Sequence, residues 1–381
     1  LAKILHIITG LNQGGAESVL VRLLENYTVN DEFHVISLLG EGFFSTRVSK
    51  VTPHIYHLSF RNFFRSVQSV IKLIRLLRQI NPDIVQTWMY HADLLGGILT
   101  KIFTDARVIW NIRNGNVEPD TLSGRTRLVI RLCSLFSYYI PSTIICSSFF
   151  AASSHKTVGY DKSKLIVIGN GIDTSVFAIK NTKPAISQKL SLPSSSILLG
   201  NISRWHPVKD HYTLLKAFAN VLNDRKDVFL LLVGSGLIPG NKQLEIWIDR
   251  LNIRNNICLC GPYDDVVEIY NAIDIHVLSS IGESFPNVVI EAMSCGVQNV
   301  VTDVGDAKRI VGDVKFVSAP GNDELLGRAI LNAIEYIEAN ARTYRQVNRN
   351  HVIESFTIEA MCESYRKLWH KKGDLNEAHP N

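Results

Sequence analysis

The chain lacks most of the features that would mark an exported, membrane-spanning or covalently acting protein. Its six cysteines, at positions 133, 146, 258, 260, 295 and 362 of 381 residues, form no CxxC pair. A disulfide scaffold or a cysteine-based zinc site is therefore excluded, and reduced thiols are expected. The opening residues, AKILHIITGL, hold one lysine and a strand-like run with no cleavage site, so an unexported, cytoplasmic protein is expected. The longest uncharged stretch, LCSLFSYYIPSTIICSSFFAA (132–152), has membrane-spanning length. Its serines, Thr143 and central Pro141 make it a helix, a break and a strand instead of a span. None of the twelve histidines stands in an HExxH or similar ligand spacing, and His206 is read as incidental. No GxSxG elbow or Cys–His pairing suggests a covalent hydrolase. GxGxxG and GxxxxGK[ST] are both missing, since GSGLIPG (234–240) carries Pro239 at the third-glycine position. No metal and no cofactor are expected.

What is present is globular: 46% hydrophobic and 20% charged residues. The length calls for two domains of nearly equal size. The net charge of +5 is uneven, because residues 1–180 hold 19 Lys/Arg against 12 Asp/Glu while residues 181–381 hold 21 against 23. The excess concentrates in RNFFRSVQSVIKLIRLLRQINPD, with Arg61, Arg65, Lys72, Arg75 and Arg78. Apolar residues at 67, 70, 71, 74 and 77 follow a helical period, so a helix over 61–80 has one greasy and one basic face. It reads as a surface helix of an α/β layer, whose basic face meets either water alone or also an anionic membrane surface. Nucleic acid is not expected as a partner, because no aromatic-studded basic groove accompanies the charge.

Short β-rich runs alternate with helical patterns from KILHIIT to KLIVIGN, which predicts a parallel sheet covered by helices. Residues 169–196 lose that period and gain Gly, Pro, Ser and Asn, so they read as a hinge or polar connection. The alternation restarts at ILLGNIS, and helices over 322–340 and 354–370 close the chain. The expected organisation is a first domain over 1–168, the connection over 169–196 and a second domain over 197–365. Two such units with a cleft between them make a natural ligand site.

The segment GESFPNVVIEAMSCG (282–296) sets Glu283 and Glu291 around Pro286 in an apolar run. Ser284 suits a helix cap, Pro286 the first turn and Gly296 the exit. At ~1.5 Å rise per residue the two carboxylates stand on the order of 12 Å apart, too far for a glycosidase pair, which needs roughly 5–9.5 Å. A helix start suits phosphate, and a carboxylate on each side of it suits a ligand with hydroxyls at both ends. The reading is sugar, diphosphate, ribose. In GNISRWHPVKDHYTLL (200–215), Arg204 and Lys209 are the cations that could neutralise a departing diphosphate. In LNQGGAE (11–17), Gly14 and Gly15 permit close backbone approach before a helix. WNIRNGN (110–116) ends a strand with Asn111, Arg113 and Asn114, all able to touch sugar or phosphate.

Taken together, NQGGAE, GNISRWHPVK, LLLVGSG, NICLCGPYDDVVEIYNAIDIHVLSSIGESFPNVVIEAMSCG and TDVGDAKRIVGD resemble glycosyltransferase family 4. These are retaining enzymes of the GT-B fold, with two Rossmann-like doubly wound α/β domains and an interdomain cleft. The resemblance runs through almost the whole chain and is strongest over 197–321. It implies that Glu283 contacts donor-sugar hydroxyls, Glu291 the ribose, and Arg204 and Lys209 the diphosphate. It implies a phosphate cradle across Phe285, Pro286 (which has no N–H), Asn287 and Val288, with the amides of Asn287 and Val288 as donors, Ser284 beside it in the donor-binding set, and a base against Pro262 and Tyr263. Gly14, Gly15 and Arg113 complete the donor-binding set, and a C-terminal helix over 366–378 is expected to cross back to the first domain. Two departures stand out. Arg113 or its neighbours occupy the place of a histidine common in the family, and Gln298 replaces a proline, from which a local loop change is expected.

The activity implied is retaining, metal-independent transfer of a hexose or N-acetylhexosamine from a nucleotide diphosphate sugar, UDP foremost. The acceptor would be a saccharide or a lipid-linked saccharide, as in capsule or lipopolysaccharide assembly. The competing readings are a nucleotide-sugar epimerase of the same fold and a non-catalytic sugar-binding protein.

Overall fold

A computed structural model describes residues 1–60, 63–117 and 122–371. The chain divides into two compact units, Leu1–Gly171 joined by the segment from Ile358, and Ile172–Thr357. The first is built on β1 (Lys3–Ile8), β2 (Glu32–Ser37), β3 (Ile55–His57), β4 (Ile84–Trp88), β5 (Arg107–Ile112), β6 (Thr143–Cys146) and β7 (Leu165–Val167). The second uses β8 (Ile197–Ile202), β9 (Val228–Val233), β10 (Ile257–Gly261), β11 (Ile275–Leu278), β12 (Gln298–Thr302) and β13 (Val317–Ser318). The sheets run β3-β2-β1-β4-β5-β6-β7 and β10-β9-β8-β11-β12-β13, with parallel pairing throughout. Both orders reverse direction once, at β1/β4 and at β8/β11, and the crevice at such a switch is where open α/β sheets bind ligands.

Each sheet is covered on both faces, and the strand period decides which residue goes where. Ile4 and Ile8 of β1 join one buried cluster, while Leu5 and Ile7 join another, as alternation across a pleated strand requires. In β8, Ile197 and Leu199 face one core and Leu198 the other.

Two boundaries differ from those expected. Residues 172–196 belong to the second unit and are not a bare connection. They carry the helix Lys183–Lys189, bury Ile186, and are tied down by Lys183 Nζ on Asp274 Oδ2 at 2.6 Å. Their Gly, Pro, Ser and Asn content signals lost periodicity, which is not the same as lost packing. The return to the first unit comes at Ile358 instead of 366. The helix Ile358–His370 sends Ile358, Met361, Tyr365 and Trp369 into the core around Trp88, a three-then-four spacing that places them on one helical face. Trp369 Nε1 also donates to Gln86 Oε1 at 2.8 Å. The remainder of the expected crossover, 372–378, lies outside the described residues.

The basic helix spans Phe63–Ile80, with Arg61 outside the described residues. Its buried stripe is Ser69, Leu73, Leu76, Leu77 and Ile80, rotated from the expected 67–70–71–74–77 face. Val67 and Ile71 consequently stand exposed beside Lys72, Arg75 and Arg78. Leu76 and Ile80 extend the stripe toward the C-terminus and turn the helix onto that side. Among the described residues, no helix is long and apolar enough to cross a membrane.

Candidate active site in the second unit

Because the sheet is parallel, the segments after β8, β9, β10, β11 and β12 all leave from one edge. The segment after β8 is shaped by its neighbours. Gly234, at φ +140, follows β9, and a Cβ there would overlap the carbonyl of Ser203. Only glycine lets the two segments meet so closely. The Trp205 N–H donates to Ser235 O at 2.7 Å, and its ring packs on Trp247. Pro207–Lys209 then form a 3₁₀ turn. Asp210, in the left-handed region, caps the helix His211–Asp224 by accepting from Thr213 N–H.

This turn is fastened to the segment after β11 by three bonds. Ile281 N–H donates to Val208 O at 2.9 Å, and Ser279 Oγ donates to Lys209 O at 2.8 Å. Lys209 Nζ donates to Glu283 Oε1 at 2.6 Å, and the same oxygen accepts from Ser280 Oγ at 2.8 Å. The Lys209 and Glu283 side chains are 19% and 15% exposed, so the pair is screened less than a surface pair but still opens to solvent. From behind, Gly305 (φ +54) leaves no room for a Cβ against the carbonyls of Ser284 and Glu283, and Asp306 N–H donates to Ser284 O at 3.0 Å. Two residues expected in separate roles, Lys209 and Glu283, thus touch at the β8/β11 switch. Arg204 lies exposed in the same segment.

The helix after Glu283 spans Asn287–Ser294, with Pro286 as its N-cap and no side-chain cap. Ser284 lies two residues before this N-cap, and its carbonyl accepts from Asp306 N–H. Asn287 and Val288 are the first two helical residues, and such N–H groups have no intrahelical acceptor. Glu291 is half-buried and accepts from Tyr270 Oη at 2.9 Å through Oε2. Tyr270 is fully buried; burial, then the Glu291 charge, push its phenol well above its ordinary range, so it is a permanent donor. Sequence reasoning missed Tyr270 and Ser280. Ser280 had a weak signal in its three-residue spacing from Glu283, whereas Tyr270 had none. Tyr270→Phe should remove this donor from Glu291. The expected cost is on the order of 1 kcal/mol, read as a melting temperature a few degrees lower.

Pro262 and Tyr263 follow β10, three strands from β11 in the sheet order, a lateral distance of ~14 Å at one strand spacing each. With Lys189, Cys260, Asp265 and Glu268 they line a groove of about 580 Å³. The Tyr263 hydroxyl accepts from Lys189 Nζ at 2.9 Å and donates to Glu268 Oε2 at 3.0 Å. Gln298 is no loop residue: it pairs with Ile275 in the sheet, and its Oε1 accepts from Asn348 Nδ2 at 3.2 Å.

The first-unit candidates are placed separately. Gly14 and Gly15 are exposed at the start of the helix Gly15–Asn26, after β1. The Arg113 guanidinium reaches Asn170 Oδ1, Ile168 O at 3.3 Å and the Tyr365 hydroxyl at 3.3 Å, and Asn111 Nδ2 donates to the same hydroxyl at 2.9 Å. Asn111 and Arg113 thereby hold the C-terminal helix to β5. Asn114 makes a local turn with Asn116.

Two family models match the chain: Glycosyltransferase Family 4 over residues 13–176 and Glycosyl transferases group 1 over 182–350. The chain is 24% identical over 352 residues to the capsular polysaccharide biosynthesis glycosyltransferase CapM of Staphylococcus aureus, covering 89% of this chain and 90% of that one. It is 25% identical over 247 residues to the UDP-Gal:alpha-D-GlcNAc-diphosphoundecaprenol alpha-1,3-galactosyltransferase of Escherichia coli, covering 64% and 63%. Among solved structures, Anabaena Alr3699/HepE in complex with UDP superposes with a TM-score of 0.84 at 21% identity, over 96% of this chain and 99% of that one. That likeness shows the fold, which is GT-B, with two Rossmann-like domains. The matched models, with the paired sheets that carry them, make this chain a glycosyltransferase of the group 1/family 4 type.

Proposed function

We propose that this glycosyltransferase is retaining and metal-independent, and moves a hexose or N-acetylhexosamine from a nucleotide diphosphate sugar to a saccharide or lipid-linked saccharide. The observation that carries the reading is the Lys209–Glu283 contact of 2.6 Å at the β8/β11 switch, directly before a helix start. An ammonium has three donors; one meets Glu283, which leaves two for a diphosphate. Among the described residues, both side-chain donors to Glu283 use Oε1, so Oε2 is the oxygen that would take a sugar hydroxyl. Arg204, Lys209 and the N–H groups of Asn287 and Val288 would receive the charge that grows on the diphosphate as the glycosidic bond breaks. Those groups would do the work a divalent ion does elsewhere. The acceptor oxygen attacks from the face the diphosphate leaves, and the diphosphate oxygen takes the acceptor's proton, so configuration is kept without a protein nucleophile. Glu291, fixed by Tyr270, would hold the ribose, and the groove at Pro262 and Tyr263 would take the base.

UDP as the carrier nucleotide is supported by the UDP-galactose donor of the E. coli relative and by the UDP in the Anabaena complex. The test is a panel of UDP and GDP sugars incubated with the full chain in EDTA, without acceptor. Slow hydrolysis of one donor, unchanged by EDTA, is expected. Conversion of the donor to its epimer, affinity without turnover, or loss of turnover in EDTA would contradict the reading. A cytoplasmic enzyme that visits an anionic membrane surface is the accompanying proposal, supported by exposed Val67 and Ile71 beside three cations. Salt-sensitive co-sedimentation with phosphatidylglycerol vesicles is expected, and should weaken in Lys72→Glu/Arg75→Glu; equal sedimentation of the variant would refute it.

A further inference from the structure

In the first unit, at the opposite edge of its sheet from Gly14 and Gly15, three metal-ligating side chains come together. Glu32 opens β2 and His34 lies two residues on, so both project from the same side of the strand. Val35 pairs with Ile55 and its N–H donates to His54 O at 2.9 Å, which sets His54 beside His34. The two imidazoles stack with centroids 4.4 Å apart at 19°. His34 Nε2 and Glu32 Oε1 are 2.7 Å apart. One ligand atom from each of the three residues lies within 4.8 Å of the others.

We propose that Glu32, His34 and His54 form a site for one late first-row divalent cation, with zinc as the ion to test. Two imidazoles and a carboxylate are a borderline donor set that suits zinc, nickel or copper better than magnesium or calcium. Zinc binds such nitrogens and oxygens at about 2.0–2.2 Å. Ligand atoms at these separations need only small side-chain rotations to share it, and Glu32 is exposed and His54 half-buried. His34 is held in place: it is buried, lies between His54 and Tyr56, and its Nδ1 is buried with no partner among the described residues. With Nδ1 carrying the ring proton, Nε2 is the neutral lone-pair nitrogen that faces Glu32 Oε1, as a shared cation requires. Lys3, opposite Glu32 in the register, directs its ammonium to Ile80 O at 3.0 Å and not to the carboxylate. Three protein ligands leave a fourth position for water, and the bound ion would clip β3, the short edge strand, to β2. No part of this depends on the donor site.

The experiment is equilibrium dialysis of the chelator-stripped full chain against ZnCl2, with bound metal counted, for the wild type, His54→Ala and Glu32→Gln. One zinc per chain is expected, with affinity lower by about tenfold or more in each variant, since even outer-shell partners cost that much. Zinc should also raise the wild-type melting temperature, and both variants should melt like the metal-free wild type. Half-buried Cys258 and Cys260 are the rival ligands. The cobalt-loaded chain should accordingly show no thiolate charge-transfer band. Uptake unchanged in both variants, no uptake, or a thiolate band would overturn the assignment.

Discussion

Glu283→Ala is expected to lower sugar turnover by about 10²–10³-fold while affinity for the nucleoside diphosphate stays close to that of the wild type. The two effects would separate because, in the proposed arrangement, Glu283 faces the transferred sugar while Lys209, Arg204 and a helix start meet the diphosphate. The substitution also removes the partner of a partly buried ammonium. The free protein should therefore lose on the order of 1–2 kcal/mol, between the cost for an exposed pair and that for a buried one. A bound diphosphate replaces the missing negative charge, so UDP should raise the melting temperature of the variant more than that of the wild type. Calorimetry with UDP, turnover assays and thermal melts check all three statements. Equal losses of UDP affinity and turnover would show that Glu283 acts on the nucleotide and not on the sugar.

Lys209→Ala should act on both steps, weakening UDP binding and transfer together and reducing kcat/KM by about 10²-fold or more. In the proposed site the donor's charged middle would lose its positioned cation, and among the described residues Glu283 would keep Ser280 as its side-chain partner. Lys209→Arg is not expected to restore activity, because a planar fork cannot replace a compact point charge on a backbone pinned by Ser279. The double variant Lys209→Ala/Glu283→Ala should cost less than the sum of the singles, with a coupling energy of about 0.5–3 kcal/mol, as for any pair in direct contact. Full retention of UDP affinity in Lys209→Ala would remove the lysine from the diphosphate site. Strict additivity would show that the pair does not act as a unit.

The strand–helix alternation was legible along most of the chain because it is written in nearest-neighbour patterns. Strands β1, β4, β5, β8, β9 and β11 lie where apolar runs placed them. Elements without such a pattern escaped. The helix Tyr344–Ser355 is mostly polar and is secured by hydrogen bonds from Asn348 to Gln298 and from Arg349 to Phe177 O, Ser294 O and Thr174 O. The basic helix was recognised but its buried face was misjudged, because the apolar residues were nearly continuous and only packing could choose among them.

The same division runs through the functional residues. The sequence alone determined that a proline-led helix begins just after Glu283, that Glu291 follows on that helix, and that two cations sit in one turn after a strand. Each of these is settled by residues within a few positions of one another. Tertiary structure decided that Lys209 meets Glu283 across 74 residues, that Tyr270 supports Glu291 across 21, and that His54 stacks on His34. Such meetings depend on strand order and register. Those are set by how whole helices and strands pack, a property that no local run of side chains contains.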